Sequence, residues 1–88
     1  MNSIEIENFL SKTEASKETY VKIDFPKRNS LYGLFVKHTD YQYLKSKNFW
    51  RIVTRQHFDQ WKQKKDMSLS RIFNGAEFSR LTLYKDSF

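Results

Sequence analysis

The chain has 88 residues, no cysteine, 17% aromatic and 30% charged residues, and a formal net charge of +6. That length fits one small domain, residues 1–88, without disulfides or thiolate metal sites to staple it. The apolar N-terminal stretch SIEIENFL is broken by Glu5 and Glu7, which excludes a signal peptide or membrane span and leads us to expect a soluble cytoplasmic protein.

Charge is unevenly spread. Residues 1–21 hold four acids and two bases, a net of −2, and residues 22–88 hold fourteen bases and six acids, a net of +8. A basic, aromatic-rich body suits a polyanion, most simply a nucleic acid. The competing reading is that the bases only keep a small domain soluble.

Asn2-Ser3-Ile4-Glu5 has the form of a capping box, and Ile6, Phe9 and Leu10 recur at helical spacing. They predict a short amphipathic helix over about residues 3–12, followed by a polar linker to residue 19. Val21, Ile23 and Phe25 alternate with polar residues, as a half-buried strand does, and Pro26 ends it. Leu31 to His38 is a second predicted strand, apolar on both faces, with Gly33 marking a bend or a close backbone approach.

Asp40-Tyr41-Gln42-Tyr43-Leu44 reads as either a strand or a short helical turn, and Lys45 to Asn48 as a loop. Phe49 to Val53 is rich in aromatic and β-branched residues and predicts a strand. Thr54 can cap an inserted helix over about residues 55–65, with Phe58 and Trp61 apolar and Arg55, Lys62, Lys64 and Lys65 basic. Phe58 and Trp61 are expected to cover the open end of a barrel. The last two strands are expected at about 68–74 and 77–84.

Between them lies Asn74-Gly75, ordinarily the strongest short-range signal of a hairpin. Leu81 and Leu83 share a parity that Phe78 does not, so a plain hairpin register fails. The three-residue step from Phe78 to Leu81 needs a bulge, a kink or a single tight turn. An ordinary Asn-Gly hairpin in an unrelated α+β domain is the alternative.

Leu31-Tyr32-Gly33-Leu34-Phe35 followed by Asp40, and Ile72-Phe73-Asn74-Gly75-Ala76-Glu77-Phe78-Ser79-Arg80-Leu81, resemble the two motifs of the Sm-like family, the Hfq-type proteins included. The likeness covers about residues 3–84. Asn74 stands where that family carries an arginine. The resemblance implies a mainly β fold with α: an SH3-like, five-stranded small barrel over residues 20–84 with an N-terminal helix and the inserted helix.

It also implies single-stranded RNA binding. Tyr41 or Tyr43 would then stack a base beside Asp40, and Asn74 and Gly75 would line its other side. Lys37, Lys45, Lys47, Arg51 and Arg71 would neutralise phosphates. Read as structure alone, the tyrosines are half-buried edge residues and Asn74 a turn residue.

His38-Thr39-Asp40 and His57-Phe58-Asp59 each pair two ligand types, but a metal site needs three or four, so no metal is expected. No nucleophile–base motif or phosphate-cradling glycine loop is present, so neither catalysis nor a cofactor is expected. The competing function is a protein-interaction module. It would use a groove of Tyr32, Trp50 and Tyr84, or self-associate as a homo-oligomer through the last two strands.

Overall fold

The structure is a computed structural model describing residues 1–12 and 19–83. The expected linker after residue 12 and Tyr84 lie outside the described residues. Helix α1 spans Ser3–Lys12, and the strands are β1 Thr19–Asp24, β2 Leu31–Phe35, β3 Phe49–Thr54, β4 Arg71–Asn74 and β5 Arg80–Leu83. Helix α2, Tyr41–Ser46, joins β2 to β3, and α3, Phe58–Lys64, lies between β3 and β4.

All strand pairs are antiparallel, in the order β4-β3-β2-β1-β5. The two end strands are therefore neighbours in the chain, joined only by residues 75–79. In a flat sheet they would stand about 19 Å apart, four spacings of roughly 4.8 Å. The connection is instead a single 3-10 turn over Gly75–Glu77, held at one end to Asn48, just before β3, and at the other to β1. Gly75 N–H donates to Asn48 O at 2.8 Å, and Ser79 N–H donates to Asp24 O at 2.8 Å. The sheet curls to let one turn bridge its edges, and the fold is a five-stranded antiparallel sheet with helices, compatible with the expected mainly β fold with α.

The turn also resolves the parity mismatch. Phe78 follows it and Leu81 sits in β5, and both are buried in the same core despite their three-residue spacing. The Asn-Gly pair is not a hairpin turn. Asn74 Oδ1 accepts from Ala76 N–H at 2.9 Å and caps the 3-10 turn, and no glycine has positive φ. Gly75 is required by space instead: a Cβ there would stand 2.6 Å from Ile6 Cδ1 and 2.8 Å from Trp50 Nε1. Gly33 answers to a similar demand, since its Cβ would overlap Ile52 Cγ2.

The sheet buries side chains on both faces. Val21, Ile23, Phe35, Trp50, Ile52, Phe78 and Leu81 fill the inside of the curl, with Ile6 and Leu10 of α1 packed against them. The capping box forms as expected: Asn2 Oδ1 accepts from Glu5 N–H at 2.8 Å, and Glu5 Oε1 from Asn2 N–H at 2.9 Å. On the outside, Leu34, Val36 and Val53 form a second cluster with Phe58 and Trp61.

That second cluster corrects one expectation. Phe58 and Trp61 do not cover the barrel's open end; they pack on the outer face of β2 and β3. Those strands carry apolar residues at both parities, and the outer set needs a cover as much as the inner set does. Four boundaries also differ. The regular β2 strand stops at Phe35, though Val36 N–H still donates to Arg51 O at 3.1 Å. The Tyr41 segment takes the helical one of its two expected forms, anchored by buried Leu44, and runs to Ser46, into the expected loop. The inserted helix starts with a 3-10 turn over Arg55–His57, and Thr54 makes no side-chain cap bond. The last two strands are shorter than expected because the turn and a further 3-10 segment, Met67–Leu69, take up their ends.

Candidate nucleic-acid interface

Helix α2 brings together most of the expected contact residues. Leu44 anchors it, and its own and flanking residues determine the local charge and ring pattern. Tyr41 and Lys45, four apart, share one side; Tyr43 and Lys47, also four apart, share another. The two tyrosines, two apart, point in different directions.

Tyr41 is half-buried, packing edge-on against Trp50 with centroids 6.0 Å apart. Lys37 Nζ lies 5.1 Å and Lys45 Nζ 5.6 Å from its ring centre. Burial raises the Tyr41 phenol above its ordinary range; Lys45 works against that and Glu7 adds to it. Tyr43 is 64% exposed, with Lys47 Nζ 5.6 Å from its ring. It is the more accessible stacking surface of the two.

Lys45 is already engaged within the molecule. Its ammonium donates to Glu7 Oε2 of α1 at 2.5 Å, a bond that raises the lysine's pKa. Glu7 thus places a carboxylate where a phosphate oxygen would meet Lys45. Sequence reasoning did not find Glu7, because the two residues are 38 positions apart and no local pattern links them.

Arg51 is also committed. Its Nε donates to both Asp40 oxygens at 3.1 and 3.2 Å, and its Nη2 to Oδ2 at 2.7 Å. This fork-on-carboxylate pairing holds the Asp40 carboxyl below its usual range. Arg51 Nη1 lies 3.4 Å from Ser70 Oγ, tying α2 and β3 to the start of β4. The pair positions α2; it is not an open phosphate contact.

Asn74 is exposed and lies beside the α2–β3 junction in space, where Phe49 is its ladder partner. Gly75 is buried: its N–H donates to Asn48 O, and its carbonyl accepts from the Met1 amine at 3.1 Å. It shapes the turn and offers no surface to a base. Arg71 is exposed at the other end of β4, three residues or about 10 Å from Asn74 along the strand.

The proposed aromatic groove does not form as expected. Trp50 is 2% exposed inside the curl, its Nε1 donating to Asn48 Oδ1 at 2.9 Å. Arg55 lies over the Tyr32 ring at 5.6 Å. Among the described residues, no three His, Asp or Glu side chains are grouped to hold a metal, and no helix is long and apolar enough to cross a membrane. No family model, no curated protein and no solved structure matches this chain.

Proposed function

We propose that this domain is a non-catalytic, cytoplasmic single-stranded RNA-binding module whose contact surface is helix α2 and its flanks. The observation that carries this reading is the clustering of Lys37, Lys45 and Lys47 against the Tyr41 and Tyr43 rings. Bases stack on an exposed ring and phosphates meet the surrounding ammonium groups, so binding tolerates sequence and depends on salt. The Sm-like resemblance of residues 31–40 and 72–81 supports the same class of ligand.

Fluorescence anisotropy with short labelled RNA and DNA oligonucleotides over a salt series tests it. Three lysine–phosphate contacts predict a slope of log K against log salt of about −2. Tyr43→Ala should weaken binding about 5- to 150-fold, from roughly 1–3 kcal/mol of stacking, with the fold intact. Affinity that ignores salt, or a Tyr43→Ala variant that binds like the parent, rejects the reading.

A second reading, self-association through β4 and β5, has one observation in its favour. Both strands end the sheet, and Ile72 on β4 is 49% exposed. Light scattering across a concentration series distinguishes an oligomer from a monomer.

A further inference from the structure

At the Glu77 end of the Gly75–Glu77 turn, a pocket of about 390 Å³ is lined by Phe25, Pro26, Lys27, Arg28 and Glu77. That volume lies in the range of small-molecule sites. Its floor is rigid. Phe25 is 8% exposed and packs edge-on against buried Phe78, with centroids 5.6 Å apart. The Arg28 guanidinium lies 4.7 Å over the Phe25 ring. Lys27, Arg28 and Glu77 are exposed on the rim. Among the described residues, neither Lys27 nor Glu77 has an ion-pair partner.

We propose that this pocket is a nucleotide subsite selecting guanine within a bound RNA strand. The chemistry of the lining matches each part of that ligand. A flat base lies against Pro26 and stacks on the planar Arg28 guanidinium, which Phe25 backs from below. Lys27 takes the phosphate.

Glu77 provides the selection. An ionised carboxylate only accepts hydrogen bonds. Guanine presents two adjacent donors on its pairing edge, N1–H and the N2 amino group. Adenine, cytosine and uracil each place an acceptor on theirs, which a carboxylate opposes.

The subsite extends the RNA reading, on which its strand context rests. The 3-10 turn connects the two places: Gly75 at its start bonds to Asn48, the neighbour of Lys47, and Glu77 at its end rims the pocket. A strand crossing the turn therefore meets both.

The test is an amide NMR titration with GMP and AMP, paired with anisotropy on two short RNAs that differ by one guanine-for-adenine exchange. GMP is expected to shift the amides of Phe25, Lys27, Arg28 and Glu77 at concentrations about tenfold below AMP. The guanine RNA should bind about tenfold tighter than its adenine counterpart. Glu77→Gln, an exposed change, should bring both ratios below about threefold. Lys27→Ala should weaken GMP but not guanosine.

Unmoved pocket amides, or a guanine preference that survives Glu77→Gln, overturn the subsite. A GMP response with no gain for the guanine RNA overturns its assignment to a strand. The failures separate: loss of the subsite leaves salt-dependent, Tyr43-dependent RNA binding standing. Pocket shifts with GMP alongside salt-independent, Tyr43-independent RNA binding would instead reject the α2 interface.

Discussion

Replacing Gly75 with alanine tests the packing beneath the tight turn, on which the whole closure of the sheet rests. The added Cβ would stand 2.6 Å from Ile6 Cδ1 and 2.8 Å from Trp50 Nε1, and would overlap Asn48 Oδ1. Non-bonded carbon atoms prefer about 3.5–4.0 Å, so the neighbours must retreat by about 1 Å. They have nowhere to go, since Ile6 is fully buried and Trp50 2% exposed. Moving Asn48 also disrupts the bond it accepts from Trp50 Nε1 and the one it donates to Met1 O, each 2.9 Å. Overpacking costs about 1–3 kcal/mol, and a strained buried hydrogen bond adds about 1 kcal/mol. We expect Gly75→Ala to lose about 3 kcal/mol, or roughly 12–24 °C in Tm for a domain of this size.

Urea unfolding followed by tryptophan fluorescence measures the loss directly. Asn74→Ala, which removes only the cap on the turn, should cost about 1 kcal/mol. Combining Gly75→Ala with Asn48→Gly separates the steric cause from any other. Asn48 sits at φ 62°, a conformation glycine adopts freely, and its removal clears the tightest overlap. The double variant should therefore lose less than the sum of the singles. A Gly75→Ala protein within about 0.5 kcal/mol of the parent would refute the packing of this turn against α1 and β3.

Trp61→Ala should cost about 3–5 kcal/mol by opening the outer cluster around Leu34 and Val53, measured by the same unfolding curves. Glu7→Gln frees Lys45 and should tighten RNA binding about two- to fivefold at low salt; unchanged affinity would mean that Lys45 takes no part. Asp40 has its carboxyl lowered by Arg51, so its contribution to stability is present above the ordinary carboxylate value of about 3.9 and is lost as pH falls through the lower folded value. Asp40→Asn should flatten that acid limb in urea midpoints taken from pH 5 down to pH 2, and identical limbs would remove the pair from the account.

Local patterns in the sequence determine much of this fold. The Asn2–Glu5 capping box, the alternation of Val21, Ile23 and Phe25, and the break at Pro26 each depend on neighbours within a few residues, and each has its expected outcome. The parity conflict between Phe78 and Leu81 called for a bulge, a kink or a tight turn after Asn74, and the folded chain takes the turn. Tertiary structure decided what no short window contains. The apolar inner and outer faces of β2 and β3 could each receive either amphipathic helix, and chain connectivity gave the inside to α1 and the outside to α3. The same holds for charge. Lys45 and Arg51 read alike along the chain, but folding puts Glu7 beside one and Asp40 beside the other, because electrostatic partners are chosen by distance in space and not by spacing in sequence.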